Sequence, residues 1–171
     1  MPFPAFSQEG NRRKFPPLGK IEWVRPIARP PFNPRQYSRN ARINQGLKYE
    51  RYVNKKLFSL YGGDYAAGQW FCYKTSLLPD WKYCQLDGIL TPSNSPRILV
   101  EIKYQHCPDA YFQLTQLYLP LMEFLYPGEP LALCEVVKWY DPATVFPHPV
   151  TRLPRIHEAR PGDFSVHILN R

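Results

Sequence analysis

Apolar residues between positions 40 and 60 recur at three- and four-residue steps: Ile43, Leu47, Val53, Leu57 and Leu60. That spacing predicts a helix with one buried face. Ser38 or Asn40 offers a cap at its start, and Gly62-Gly63 a stop. The pattern then changes to branched and aromatic runs bounded by Pro, Ser, Asn and Gly, which predict strands over residues 69–75, 83–90 and 97–104. Short turn-forming links join them at 78–80 and 91–95. A second helix is predicted over residues 109–126, with Leu114, Leu117, Leu121, Phe124 and Leu125 on its apolar side. Pro120 falls within it and predicts a kink, because it removes the donor for the Gln116 carbonyl. Residues 131–138 read as a central strand and 164–169 as a final one. The order is helix, three strands, helix, strand.

A few polar residues interrupt these apolar segments. Asp87 lies inside the second strand, and Glu101 and Lys103 lie inside the third. Residues two apart on a strand share a face, so Glu101 and Lys103 project together while Ile98, Val100 and Ile102 take the other side. An acid and a base in a buried strand are costly unless paired or bound. With a second acid one strand away, the economical reading is a divalent-cation site beside an ammonium group. Glu50 belongs to the same class, because it falls on the apolar stripe of the first helix, where a carboxylate needs a partner.

The chain has 171 residues, enough for one domain with a proper core. No apolar run approaches the roughly 20 residues of a membrane span, and the first residues lack the features of a secretory signal. The four cysteines, Cys72, Cys84, Cys107 and Cys134, show no metal-ligand spacing. Reduced thiols and a cytoplasmic location are therefore expected. Charge is unevenly placed. Residues 1–40 carry eight basic groups against two acids, a net +6 of the chain's +8, together with eight prolines. Such a stretch cannot form a regular helix. It reads as an extended basic arm (residues 1–39) suited to a polyanion, or as a solvated tail partly pinned through Ile21 and Trp23. Residues 40–140 form the expected core and 141–171 a proline-rich extension packed on it.

Basic residues beside the first helix and the strands are candidate phosphate contacts: Arg39, Arg42 and Lys74, with His106 just after the motif strand. A solvated surface role competes for each. His148, His157 and His167 have no metal or triad spacing, and no Gly-rich phosphate loop is present.

Glu50 on the first helix, Asp87 on the second core strand and Glu101-Ile102-Lys103 on the third, in that element order, resemble the PD-(D/E)XK nuclease superfamily. The resemblance covers about residues 40–140. It implies an α/β fold with an αβββαβ restriction-endonuclease-like core, a mixed sheet flanked by helices; the proline-rich N- and C-terminal extensions lie outside the resemblance. Gln113-Leu114-Thr115-Gln116-Leu117-Tyr118 looks like the glutamine- and tyrosine-bearing helix of its exonuclease-like and phage-encoded branches. The glutamine-to-tyrosine spacing is five here rather than four, and Leu86 replaces the proline that often precedes the first acid. The resemblance implies magnesium, with manganese as substitute, held by Asp87, Glu101 and the Ile102 carbonyl. Glu50 would hold a second metal or a water, Lys103 would assist the attacking water, and Gln113 would orient water or touch phosphate. The expected activity is hydrolysis of DNA phosphodiesters. A catalytically silent nuclease-fold module that binds nucleic acid, or a protein docking through the arm onto a larger assembly, is the alternative.

Overall fold

The computed structural model describes residues 17–34, 39–105, 108–139, 150–152 and 165–169. Its elements are β1 (Ile21–Ile27), α1 (Ala41–Tyr61), β2 (Tyr65–Thr75), β3 (Lys82–Leu90), β4 (Arg97–Gln105), α2 (Pro108–Phe112), α3 (Leu119–Leu125), β5 (Leu131–Trp139), β6 (Val150–Arg152) and β7 (Ser165–Leu169). The strands form one mixed sheet in the order β1-β2-β3-β4-β5-β7-β6. Only β4 and β5 run parallel; the other neighbouring pairs are antiparallel.

Each face of the sheet carries its own apolar cluster, as strand alternation requires. On one face Tyr49, Val53 and Leu57 of α1 pack on Tyr65, Leu90, Val100, Ile102, Cys134 and Val136. On the other, Leu114, Tyr118, Leu121 and Met122 pack on Phe71, Leu86, Leu99 and Leu133. Consecutive residues of β4 and β5 thus serve opposite cores, Leu99 against Val100 and Leu133 against Cys134.

Helix α1 starts at the expected cap: Asn40 Oδ1 accepts the amides of Arg42 at 2.9 Å and Ile43 at 3.4 Å. It ends at Gly62, whose φ of 57° suits glycine. Its buried row differs from the predicted stripe. The row steps by four through Tyr49, Val53 and Leu57, and leaves Ile43 and Leu60 exposed.

The second helix changes register before Pro120. Residues Gln113–Tyr118 between α2 and α3 are π-helical, and the Leu119 amide donates to the Leu114 carbonyl, five residues back. The wider turn lies immediately before the proline at which the sequence predicts a kink. Thr115 Oγ1 also donates to the Tyr111 carbonyl at 2.7 Å.

The sheet extends beyond residues 40–140 on both sides. Part of the expected arm is strand β1, paired with β2 and contributing Val24 to the core. Pro26 is tolerated there because β1 lies at the sheet edge. Strands β6 and β7 come from the expected C-terminal extension. Cys72, Cys84 and Cys134 are buried free thiols, and burial pushes Cys84 and Cys134 up to about 12. Cys107 lies outside the described residues. No described helix is long and apolar enough to cross a membrane.

Candidate functional site

The candidate site lies where β3 parts from β4. Their ladder covers only three pairs, Leu90 with Ile98, Ile89 with Leu99 and Gly88 with Val100. The next pair in register would set Asp87 against Glu101. Instead the strands separate, and β4 continues alongside β5. The Ile102 amide freed by this parting donates to Asp87 Oδ2 at 2.8 Å. On its other side β3 pairs with β2 throughout, except at the position where Gly68 faces Asp87. Gly68 has a φ of 62°, and its carbonyl accepts Gln85 Nε2 at 3.1 Å. Side-chain alternation slips here. Leu86 belongs to the core beneath the second helix, whereas a Cβ on Gly88 would point at Tyr65 in the α1 core. Asp87 stands at that slip.

Glu101 follows the alternation of β4 and is 2% exposed. Its Oε1 accepts the Lys103 ammonium. Its Oε2 is buried with no hydrogen-bond partner among the described residues. Lys103 Nζ also donates to Gln113 Oε1 at 2.9 Å. The π-helical register spans the five-residue step from Gln113 to Tyr118. Gln113 thereby reaches Lys103, while the buried Tyr118 donates to the Gln85 carbonyl at 2.7 Å. Tyr118 is thus a strut of the core rather than a surface contact.

The electrostatics are those of acids gathered away from water. Burial, then the Asp87 carboxylate, raises Glu101 to about 8; Lys103 opposes the shift, and Glu50 adds a smaller upward push. Glu50, half-buried on α1, rises to about 7 through burial and Asp87, against Lys103 and Arg51. Burial also raises Asp87, while Lys103 and the Ile102 amide pull it down. Asp87 acts on Glu50 and Glu50 acts on Glu101, so the α1 carboxylate lies within electrostatic range of the acids on β3 and β4.

Among the described residues no group of three or more His, Cys, Asp and Glu side chains is arranged to hold a metal. A divalent cation here would have from the protein at most the Asp87 and Glu101 carboxylates and the Ile102 carbonyl, a sparse oxygen set of the kind that magnesium completes with water. The fit rests on Glu101 Oε2. A buried carboxylate oxygen without a donor is a costly arrangement, and a cation would relieve it. The carboxylates raised by burial would be drawn back to their charged forms by the same ion.

Three other expected contacts lie among the described residues. Arg39 and Arg42 are exposed at the start of α1. Lys74 lies six residues along β2 from Gly68, roughly 20 Å by strand rise, and its ammonium sits 4.6 Å from the centre of the Trp81 ring. It is remote from the carboxylates. His106 lies outside the described residues. One buried acid was not anticipated. Glu135 of β5 is register-paired with Glu101 and 0% exposed. The signal that marked Glu101, a carboxylate inside an apolar strand, was present for Glu135 too. No family model, curated protein or solved structure matches this chain.

Proposed function

We propose that the chain is a metal-dependent nuclease that hydrolyses phosphodiester bonds of DNA, on a core of the PD-(D/E)XK kind. The observation that carries this reading is the buried Glu101 Oε2, which has no hydrogen-bond partner among the described residues, on a carboxylate whose other oxygen accepts the Lys103 ammonium. Asp87, Glu101 and the Ile102 carbonyl would hold magnesium or manganese, and Glu50 would hold a second ion or a water. A divalent ion there would supply Lewis acidity toward a phosphoryl oxygen and lower the pKa of a bound water.

The protein's own groups divide the remaining work. Asp87 is fixed by the Ile102 amide, so its carboxylate is oriented before substrate arrives. Lys103 places positive charge where a phosphate would gain negative charge, and Gln113 holds that ammonium from the helix side.

The test is a cleavage assay on single-stranded, duplex and branched DNA with magnesium, manganese or chelator. Metal-dependent cleavage lost in Asp87→Asn supports the proposal. Binding without cleavage in every metal would favour the silent nuclease-fold module.

A further inference from the structure

A second feature lies on the sheet away from the carboxylates. A hollow of about 310 Å³ is lined by Arg25, Arg29, Cys72, Trp81 and Tyr83, among others, and no carboxylate of the described residues lines it. Arg25 is held in place by its Nε donating to Cys72 Sγ at 3.2 Å. Its guanidinium also lies 5.5 Å from the centre of the Trp81 ring, the ring that Lys74 approaches at 4.6 Å. Phe32, half exposed, packs edge-on against Tyr83 at 5.8 Å and Trp70 at 5.9 Å. Cations beside aromatic walls, around a space of this size, match a flat ring that carries an anion.

Position adds to the argument. Tyr83 and Asp87 lie on the same strand, four residues or about 13 Å apart. A strand of nucleic acid lying along β3 would reach from the hollow to the carboxylates within a few nucleotides. Base faces are open in single strands and stacked away in duplexes, so an aromatic-lined hollow selects the single-stranded form.

We propose that this hollow is a single-stranded nucleic acid subsite, with one base against Tyr83 and Trp81 and neighbouring phosphates on Arg25, Arg29 and Lys74. The inference rests on the nuclease reading for its substrate class and deepens it by naming a strand with unpaired bases. The experiment is therefore run in chelator, where no hydrolysis occurs and failure of the chemistry cannot be mistaken for failure of the subsite.

Binding of fluorescein-labelled oligothymidylate to the full chain is measured against salt for Arg29→Ala with Lys74→Ala, for Trp81→Ala and for Trp81→Phe. Arg25 is left intact because of its contact with Cys72. The double basic variant should bind at least about 10-fold more weakly, with the salt slope reduced by about 1.4, the value for two phosphate contacts on a single strand. Trp81→Ala should lose about 10-fold, on the scale of one stacked base, and Trp81→Phe should recover most of it. Duplex binding should change less in every case. Three results would each overturn the proposal: unchanged oligothymidylate affinity, equal losses for duplex, or displacement by polyglutamate as readily as by unlabelled oligothymidylate. The last would mark a patch that reads charge alone.

Discussion

Asp87 Oδ2 accepts the Ile102 amide at 2.8 Å, a side chain taking the place of the backbone partner that β4 loses as β3 turns away. This bond separates two roles of one residue. Asn at position 87 keeps an oxygen for the amide and discards the charge, whereas Ala discards both. Asp87→Asn should fold normally yet cleave at least about 100-fold more slowly, the scale of losing a key electrostatic group. Asp87→Ala should in addition lower stability by about 1–3 kcal/mol, the cost of a buried amide left unpaired. Rates in magnesium and urea unfolding curves check the two parts.

Glu101 should show the reverse trade. Its carboxyl is buried where charge is costly and one oxygen lacks a partner among the described residues, so Glu101→Gln should unfold the metal-free protein no more readily than wild type while abolishing activity. Manganese should protect the wild type against heat and leave the variant unchanged. Loss of stability in Glu101→Gln without metal would mean that the Lys103 contact outweighs the burial of charge.

The pH dependence of the metal-free protein follows from the same groups. Glu50 and Glu101 rise from 4.5 to about 7 and about 8 on folding. Between those limits the native state holds protons that the unfolded chain has released, so stability falls as pH rises. The melting temperature should decline from about pH 5 to about pH 8. Added magnesium should recover more of it at the alkaline end, where its proton competitors are gone. A rise in melting temperature over that range without metal would contradict the buried-acid arrangement.

Gly88 permits no larger residue. A Cβ there would stand 2.6 Å from Tyr65 Cζ and 2.7 Å from Cε2, besides meeting the hydroxyl. That hydroxyl donates to Asn54 Oδ1 on α1, so the ring is anchored to the helix that carries Glu50. Gly88→Ala should cost about 1–3 kcal/mol by overpacking and shift Asp87 with it, lowering activity further than stability alone explains. Tyr65→Phe removes only the oxygen and should not rescue it.

What the sequence revealed about this arrangement depended on contrast. Asp87, Glu101 and Lys103 were legible because charge inside an apolar strand is conspicuous, and α1 because its cap and stop are chemically explicit. The parting of β3 from β4 was not legible, since it turns on which hydrogen-bond partner each amide finds rather than on residue type. Strand β1 was hidden by Pro26 and by the charges of Glu22 and Arg25. An edge strand buries little, and Val24 is its one fully buried apolar side chain. Strand β2 begins at Tyr65, four residues before the predicted start, because Ala66, Ala67 and Gly68 lack the branched signature of a strand. The five-residue step from Gln113 to Tyr118 became intelligible only through the π-helical turn, which periodicity of 3.6 cannot foresee.

The pairing of β1 divides the N-terminal segment into two parts that truncation can separate. Residues 1–16 include Arg12, Arg13 and Lys14, while β1 supplies a ladder to β2 and the buried Val24. A chain beginning at Pro17 should therefore keep its fold and its turnover at saturating substrate. It should bind duplex DNA more weakly, with a salt slope shallower by up to about 3, one unit for each lost phosphate contact. A chain beginning at Ser38 loses β1 as well, exposes the β2 edge and opens the core around Val24, so its melting temperature should fall and aggregation should rise. Calorimetry and salt-dependent binding on the two truncations distinguish these effects. Unchanged DNA binding in the shorter deletion would assign the basic segment to a protein partner instead, and unchanged melting in the longer one would mean that β1 contributes nothing to the stability of the sheet it joins.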